Sequence, residues 1–321
     1  MRVLNGPALE AAADETGLVD EMERAFRIHA LGGFTMPDRA HVDLGAGTLL
    51  LMPCEASGHL GTKVVTVAPA NRRKGLPVVQ AVMLLLRADT GEPLAVMDGR
   101  VLTALRTAAA SAVAIRHLAP PGAARVGIVG AGVQGRYHAR FAAAVRPVEE
   151  IVVYDHRPGN LPPFAAHLAD RLPGVRVRAA RDVEELLEVC PVVVTATTSA
   201  TPVLPDREEA LAGRCFVAVG SFRPGMRELP GALLRRANRV FVDTEHAVEE
   251  SGDLAVPLRE GWISRDRVTT LGRALERGLP APPPGPTTLY KSVGMALFDV
   301  LAAACLLDRS KALGVGADVA W

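Results

Sequence analysis

Three glycines in the stretch "RVGIVGAGVQGRYHARFAAA" have the spacing of a turn that binds phosphate groups. Gly130, Gly132 and Gly135 follow a short apolar run and precede a segment whose apolar residues have helical spacing. The first glycine permits a tight turn, the second lets the backbone approach a pyrophosphate, and the third lets the helix pack on a sheet. We therefore predict a dinucleotide site, with a glycine turn that binds nothing as the alternative. The predicted contacts in the turn are Gly130, Ala131, Gly132, Val133, Gln134 and Gly135.

An acidic residue at the end of the next predicted strand bears on which dinucleotide binds. Asp155 follows "EIVVY" at about the two dozen residues' distance expected for such a group. A carboxylate there accepts hydrogen bonds from the ribose hydroxyls and repels a 2'-phosphate, which favours NAD(H) over NADP(H). His156 and Arg157 come next in the chain and can offset part of that repulsion. We predict contacts from all three residues.

Two further loops each follow a predicted strand, "TATTSATPVL" and "AVGSFRPGMREL". In an open α/β sheet the ligand binds outside the carboxyl ends of the strands, so both loops are expected to face the cofactor. For each hydroxyl, including that of Thr198, a local turn or helix cap is the alternative. The predicted contacts are Thr195, Ala196, Thr197, Val219, Gly220 and Ser221.

The elements that must position these groups differ between the two halves of the chain. Residues 120–297 alternate short apolar strands with amphipathic helices, which predicts a doubly wound parallel sheet of the α/β class. Residues 36–97 read as β-rich hairpins and meanders. One helix is predicted from Pro7 to the stop at Gly32 and Gly33, and a second, rich in Ala, from Thr103 to Leu118. The proline-rich stretch at 279–286 is predicted to be a surface loop.

Composition and charge favour a protein that acts on small molecules. The 321 residues are 49% hydrophobic, and 36 Lys and Arg nearly balance 35 Asp and Glu. This balance predicts no binding of nucleic acid or of a membrane surface. The four cysteines are widely spaced and form no CxxC pair, which predicts buried thiols in a reducing compartment and no metal site. The N-terminus lacks the apolar core of a signal peptide, so we expect a cytoplasmic protein.

Seven motifs, in order along nearly the whole chain, resemble those of the ornithine cyclodeaminase/mu-crystallin family. They are "MPDRAHV", "GTKVVTVAPANRRKGLP", "TGEPLAVMDGRVLTALRTAAASAVA", "VGIVGAGVQG", "TATTSATPVL", "VGSFRPGMREL" and "TLYKSVGMALFDV". The resemblance implies a Rossmann domain at 120–297. It also implies an α+β domain for substrate binding and homodimer formation at 1–119, completed by a C-terminal helix at 298–321. The residues that precede the glycine turn would then build the substrate site.

The resemblance also assigns roles to three cations. Arg39, Lys63 and Arg106 lie in motifs similar to the family's substrate-carboxylate and catalytic positions. A planar guanidinium matches a carboxylate with two parallel hydrogen bonds. A lysine among other cations loses proton affinity and can exchange protons near neutral pH. Lys63 is therefore the predicted catalytic residue, all three cations are predicted substrate contacts, and Arg106 with Thr107 is also expected to reach the cofactor.

One position distinguishes among the activities of the family. The cyclodeaminases resemble one another in having an acidic residue two positions before the "PG" of "GSFRPG", where this chain has Phe222. The motifs look more like those of the cyclic ketimine reductases, with Phe222 against the ring methylenes and Ser292 closing the substrate pocket. We predict hydride transfer from NAD(P)H to C2 of a cyclic imine carboxylate, which gives proline or pipecolate.

Three alternatives stay open at this point. An open-chain amino-acid dehydrogenase, for example for alanine, would use the same cations. A cyclodeaminase would release ammonia from ornithine or lysine with no net reduction. A binding protein like mu-crystallin would hold the cofactor without turnover, although the presence of Lys63 and Arg39 argues against it.

Overall fold

In the computed structural model, which describes residues 1–280 and 285–320, the chain forms two compact units. Unit 1 consists of Met1–Thr107 and Met295–Trp321, and unit 2 of Ala108–Gly294. The division falls inside the Ala-rich helix and not at 119/120, because the second half of that helix packs with the residues that follow it. The second division falls after Gly294 and not at 297/298. Residues 281–284 of the proline-rich stretch lie outside the described residues.

The strands and helices account for most of both units. The strands are β1 (Arg2–Leu4), β2 (Phe34–Thr35), β3 (Ala40–Asp43), β4 (Thr48–Ala56), β5 (His59–Val67), β6 (Val79–Arg87), β7 (Pro93–Asp98), β8 (Arg125–Val129), β9 (Glu150–Tyr154), β10 (Arg176–Ala179), β11 (Val192–Thr195), β12 (Cys215–Ala218), β13 (Arg239–Val242), β14 (Val268–Thr270), β15 (Thr288–Lys291) and β16 (Ala317–Asp318). The helices are α1 (Gly6–Ala12), α2 (Glu15–Leu31), α3 (Gly99–Leu118), α4 (Val133–Val145), α5 (Leu161–Ala169), α6 (Val183–Val189), α7 (Glu208–Leu211), α8 (Gly231–Arg236), α9 (Ala247–Glu250), α10 (Gly252–Arg259), α11 (Leu271–Glu276) and α12 (Ala296–Ala312). Among the described residues, no helix is both long enough and apolar enough to span a membrane.

Unit 1 is built on a mostly antiparallel sheet with the order β16-β1-β7-β6-β5-β4-β2, and β3 also pairs with β4. The long hairpins β4–β5 and β5–β6 fit the predicted β-rich half. Side chains alternate along each strand, so Gly61, Lys63 and Val65 of β5 are buried and the residues between them are not. Helix α12 packs against β4, β5 and β6 and closes this core.

The prediction of a single N-terminal helix from Pro7 to Gly33 is wrong. The chain forms strand β1 and then two helices, α1 and α2, because Ala13 and Asp14 have extended backbone conformations with ψ of 130° and 111°. Asn5 caps the first of these helices by accepting a hydrogen bond from the amide of Ala8. The apolar spacing continues across the break, so the sequence pattern alone concealed it.

Unit 2 is the predicted doubly wound α/β unit. Its strands are all parallel, in the order β10-β9-β8-β11-β12-β15-β13-β14. Strand β15 was not predicted as a strand, and it inserts between β12 and β13 although it follows both in sequence. The direction of strand order reverses at β8, which has β9 on one side and β11 on the other. Such a reversal creates the crevice in which ligands of open α/β sheets bind.

Candidate active site

The glycine turn of unit 2 has the geometry that its spacing predicts. Gly130 has a φ of +108°, a left-handed conformation that favours glycine, and a Cβ there would lie 2.6 Å from the carbonyl oxygen of Ala196. A Cβ on Gly135 would collide with the carbonyl oxygen of Gly130, so only glycine lets α4 start this close to β8. The turn is therefore tight because both positions lack a side chain.

The N-terminus of α4 can accept an anion. Gly132 is its N-cap and supplies no side-chain hydrogen bond, and a Cβ placed there would meet nothing within 4 Å. The first amides of a helix have no intrahelical acceptor, and the helix dipole favours negative charge beside them. Val133, the first residue of α4, is 61% exposed. The open backbone at Gly132 fits the pyrophosphate of a dinucleotide.

Asp155 lies beside this turn at the carboxyl end of β9. Its Oδ2 accepts a hydrogen bond from the amide of Ala131 at 2.8 Å, and its Oδ1 accepts one from the amide of Arg157 at 2.8 Å. Burial alone would raise the pKa of Asp155, but the hydrogen bonds from Arg157, Asn160 and Ala131 hold it below its ordinary value. The side chains of His156 and Arg157 are exposed, and His156 Nδ1 lies 3.6 Å from Asp155 Oδ1. Asp155 is therefore ionised at neutral pH.

The loops after β11 and β12 meet at one buried carboxylate that sequence reasoning missed. Glu228 accepts hydrogen bonds from the amides of Thr197 and Gly220, both at 2.7 Å, and from the hydroxyl of Thr195 at 3.1 Å. The hydroxyl of Ser221 donates to the carbonyl oxygen of Met226 at 2.6 Å. Thr195 and Ser221, which were predicted to contact the cofactor, are thus fully buried and bonded inside the protein. Ala196, Thr197, Val219 and Gly220 are half-buried and Thr198 is exposed.

In unit 1, two of the three predicted cations converge on one carboxylate. Lys63 Nζ lies 2.8 Å from both Asp299 Oδ1 and Oδ2, and Arg106 Nε donates to Asp299 Oδ1 at 2.9 Å. Lys63 comes from β5, Arg106 from α3 and Asp299 from α12. The relative exposures of these residues are 2%, 5% and 0%. We call these three side chains the buried cation cluster.

The electrostatics of the buried cation cluster suit a proton-exchanging lysine. Burial, together with the nearby Arg106 and Arg39, lowers the pKa of Lys63 to about 8, although Asp299 opposes this shift. Arg106 and Lys63 in turn hold the pKa of Asp299 below its ordinary value despite its burial. Arg39 is half-buried and close enough to act on Lys63 electrostatically. Lys63 and Arg106 thus share one carboxylate, Asp299, and a ligand carboxylate would balance the remaining positive charge.

Phe222 and Ser292, the other two predicted substrate contacts, differ in accessibility. Phe222 is 39% exposed, and the guanidinium carbon of Arg223 lies 5.4 Å from the centre of its ring. Ser292 is buried, and its hydroxyl donates to Asp243 Oδ2 at 2.7 Å. That carboxylate oxygen also accepts from the amides of Val293 and Gly294, so Ser292 helps anchor the residues that lead to α12. Substrate contact by Ser292 stays a prediction.

Asp299 is the residue of the buried cation cluster that the sequence did not identify. The signal was available: Asp299 is the one acidic residue in the run "ALFDVLAAACLL", and an isolated carboxylate in an apolar helix needs a buried cation as partner. Its partners could not be named, because Lys63 and Arg106 lie 236 and 193 residues away in the sequence.

The parallel sheet, the glycine turn and the acidic end of β9 define a dinucleotide-binding protein of the Rossmann class. The model of the ornithine cyclodeaminase/mu-crystallin family matches residues 8–313, and the chain belongs to that family. The resemblance seen in the sequence motifs is therefore confirmed.

Similar proteins support this assignment. A Δ1-pyrroline-2-carboxylate reductase of Bacillus cereus is 36% identical over 274 residues, which cover 84% of this chain and 83% of the relative. The structure of Thermococcus litoralis Δ1-pyrroline-2-carboxylate reductase in complex with NADH and L-proline aligns with a TM-score of 0.91 at 32% identity, covering 99% of this chain and 100% of that one. An archaeal alanine dehydrogenase dimer with bound NAD aligns with a TM-score of 0.89 at 29% identity, covering 100% of this chain and 99% of that one.

The geometry of the buried cation cluster predicts how Lys63 titrates. Because Asp299 raises the pKa of Lys63, the variant Asp299→Asn should move that pKa from about 8 to a lower value. The measurement is an NMR titration of Cε in protein labelled at lysine, with the Lys63 signal assigned by its loss in Lys63→Arg.

The matched control is Asp98→Asn, which removes an unrelated carboxylate of unit 1 that pairs with Arg100. It should leave the Lys63 titration unchanged. A Lys63 pKa that rises or stays constant in Asp299→Asn would contradict the proposed arrangement of charges.

Proposed function

We propose that the chain catalyses the NADH-dependent reduction of a cyclic imine carboxylate to a cyclic amino acid. The substrate is Δ1-pyrroline-2-carboxylate or its six-membered homologue Δ1-piperideine-2-carboxylate, and the product is proline or pipecolate. The observation that carries the proposal is the buried cation cluster, in which Asp299 holds Lys63 and Arg106 at 2.8 and 2.9 Å. The similarity to Δ1-pyrroline-2-carboxylate reductases supports the same chemistry.

In this proposal the cations of unit 1 bind and orient the substrate carboxylate. Arg106 is fixed through its Nε by Asp299, so its guanidinium has one orientation. Arg39 supplies a second guanidinium with the planar donor geometry that a carboxylate matches. Fixing the carboxylate also fixes which face of the imine carbon is presented, and such positioning lowers the entropic barrier to reaction.

Lys63 controls the proton in this mechanism. With a pKa of about 8, its Nζ carries a proton at neutral pH and can still release it. A proton held near the imine nitrogen favours the iminium form, which accepts hydride more readily than the neutral imine. A nicotinamide cofactor held at the glycine turn and the loops after β11 and β12 would supply that hydride to C2. The C=N bond becomes a C–N single bond, and the electron pair of the broken π bond remains on nitrogen.

Phe222 supports the reductase over a cyclodeaminase. At the position where the cyclodeaminases resemble one another in having an acidic residue, this chain presents a half-exposed phenyl ring. A phenyl ring can pack against ring methylenes, but it cannot remove a proton from an amine or bind an ammonium ion by charge. Ring closure of ornithine with loss of ammonia therefore lacks its base here.

The cofactor proposal is NAD(H), with a preference over NADP(H). The ionised carboxylate of Asp155 at the end of β9 can accept hydrogen bonds from ribose hydroxyls and repels a 2'-phosphate. The exposed side chains of His156 and Arg157 reduce this discrimination but do not remove it. The predicted contacts of the turn, of Arg106 with Thr107, and of the half-buried loop residues Ala196, Thr197, Val219 and Gly220 complete the proposed cofactor site. The free cysteines Cys54, Cys190, Cys215 and Cys305 support a reducing, cytoplasmic location.

The experiment that tests the function is a panel of substrates with NADH oxidation and ammonia release as readouts. Δ1-Pyrroline-2-carboxylate and Δ1-piperideine-2-carboxylate should each oxidise NADH, with proline or pipecolate identified by chromatography. Pyruvate with ammonium should be a poor substrate, and ornithine should release no ammonia. Oxidation that requires pyruvate and ammonium would instead identify an open-chain dehydrogenase, and ammonia from ornithine would identify a cyclodeaminase.

Lys63 should set both the rate and its pH dependence. Lys63→Ala should lower kcat by roughly 10²- to 10⁴-fold, the range typical of a lost acid/base group, with little change in NADH affinity. In the wild type, kcat/KM for the imine should fall as the pH rises through about 8, because the Lys63 ammonium loses its proton there.

Lys63→Arg is the control for this pH dependence, because its guanidinium stays charged across the range. Its residual activity should show no fall attributable to residue 63 near pH 8. Turnover of Lys63→Ala within a few-fold of wild type would remove Lys63 from the mechanism.

Asp155 should govern cofactor choice. The wild type is expected to prefer NADH over NADPH by about tenfold in kcat/KM, which corresponds to about 1.4 kcal/mol. Asp155→Ser should narrow or invert that preference and leave the KM of the imine nearly unchanged, because the adenosine ribose is remote from the reacting carbon. A wild type that already prefers NADPH would show that His156 and Arg157 determine the choice.

We further propose that the chain forms a homodimer through the outer face of the unit 1 sheet. Apolar side chains on that face pair across neighbouring strands: Val64 of β5 lies opposite Val82 of β6, and both are exposed, at 36% and 48%. Leu60 lies opposite Leu86 in the same way. Exposed apolar side chains grouped on one face of a sheet are typical of an interface, and a twofold axis lets the same patch serve both copies.

The dimer proposal predicts the effect of a charge placed on that face. Val64→Asp should convert a particle of twice the chain mass into a monomer in light scattering coupled to gel filtration. Leu31→Asp, at the exposed end of α2 with 73% exposure, is the control and should leave the mass unchanged. A wild-type monomer, or a dimer that persists in Val64→Asp, would contradict the proposal.

A further inference from the structure

Glu228 of unit 2 is a buried carboxylate that the proposed chemistry does not use. It has no exposed surface, and it follows the loop after β12 without belonging to a helix or strand. Burying a carboxylate is unfavourable unless hydrogen bonds and charges satisfy it. Its environment therefore indicates what it stabilises.

The contacts of Glu228 join two separate loops. Its Oε1 accepts from the amide of Thr197 at 2.7 Å, in the loop after β11. Its Oε2 accepts from the amide of Gly220 at 2.7 Å, in the loop after β12, and from the hydroxyl of Thr195 at 3.1 Å. One side chain thus fixes the backbone of both loops at the carboxyl edge of the sheet.

The position of Glu228 is itself fixed from the opposite side. Asp253 Oδ1 accepts from the backbone amides of Glu228 and Leu229 at 2.7 and 2.9 Å. The fully buried Lys291 lies 3.3 Å from the other oxygen of Asp253. Burial raises the pKa of Glu228 and the charge of Lys291 opposes that shift. Because the amides of Thr197 and Gly220 can only donate, Glu228 binds them as a carboxylate.

The two loops pack closely against each other at Gly220. A Cβ on Gly220 would collide with the carbonyl oxygen of Thr197 and would lie 2.5 Å from Glu228 Oε1. The loop after β12 therefore approaches the loop after β11 as closely as a glycine allows. Glu228 bonds to both loops. A change in its carboxylate is therefore expected to shift the backbone of the loop after β11 or of the loop after β12.

The order of strands shows which half of a dinucleotide these loops face. The pyrophosphate belongs at the turn after β8, and Asp155 at the end of β9 marks the adenosine side. Strands β11 and β12 lie on the other side of β8. The second nucleoside must therefore extend over the loops that Glu228 holds.

We propose that Glu228 is a positioning residue that holds the loops after β11 and β12 in the conformation that binds the nicotinamide half of NAD(H). This inference rests on the proposed function only in that the chain binds NAD(H). Glu228 acts through the amides of Thr197 and Gly220 and does not touch the cofactor. The adenosine half, bound at the glycine turn and Asp155, does not depend on it.

The test compares two ligands in the variant Glu228→Gln. Glutamine has nearly the same shape, but its amide group places a donor against a backbone donor of Thr197 or Gly220. The dissociation constant of NADH, measured by calorimetry, should rise about tenfold or more, since hydrogen bonds to a charged group are lost. That of ADP-ribose, which lacks the nicotinamide, should change by less than about twofold, as expected for independent sites.

Two further variants make the test independent of folding. Thr195→Val removes one hydrogen bond to Glu228 and keeps the carboxylate, and the buried Thr195 side chain cannot reach the cofactor. It should weaken NADH binding in the same selective way but by less. Glu150→Gln is the control. Glu150 is another buried carboxylate, but it is the first residue of β9 and so lies at the amino edge of the parallel sheet. This variant should leave the dissociation constants of NADH and ADP-ribose unchanged.

The outcomes separate this inference from the proposed function. Selective weakening of NADH in Glu228→Gln, or in Thr195→Val if the first variant does not fold, supports the positioning role. Equal weakening of NADH and ADP-ribose, or no weakening of either, overturns it while the proposed function stands. A wild type that fails to bind NADH overturns the proposed function, and this inference with it.

Discussion

The interaction on which the site in unit 1 depends is the contact of Asp299 with Lys63 and Arg106. Two cations in a protein interior repel each other and lose their hydration, so they stay together only if an anion lies between them. Asp299 provides that anion from α12, a helix that is otherwise apolar as far as Leu307 and packs against strands of the unit 1 sheet. Removing one partner of such a buried pair lowers the free energy of unfolding by about 3–5 kcal/mol. The stability of the unit 1 core therefore depends on these three charges.

Unit 2 uses buried carboxylates in a different way. Asp155, Glu228 and Asp243 each accept hydrogen bonds from backbone amides at the carboxyl edge of the parallel sheet. The edge of a parallel sheet supplies loops rather than regular structure, and loop amides need acceptors when they are buried. A carboxylate with two oxygens can satisfy amides from different loops and thereby fix their relative positions. The sheet places the loops, and the carboxylates determine their shape.

The sequence predicts the parts of this structure that depend on local pattern. The glycine turn, the parallel sheet of unit 2 and the β-rich half of unit 1 are confirmed, because period and spacing encode them directly. The break at Ala13 and Asp14 was missed because the apolar spacing continues through it. Strand β15 was missed because its neighbours, β12 and β13, precede it in the chain and no local signal states the order of strands. Asp299 and Glu228 were missed because a carboxylate reveals its role only once its distant partners are known.

We propose that the cations held by Asp299 form a preformed site for a substrate carboxylate. The most direct measurement is the affinity of the NAD⁺-bound protein for L-proline and for L-prolinamide, which has the same ring but no negative charge. We expect L-proline to bind at least about tenfold more tightly, a difference of about 1.4 kcal/mol, and we expect Arg106→Met to reduce this difference. Equal affinities for the two ligands in the wild type would contradict it.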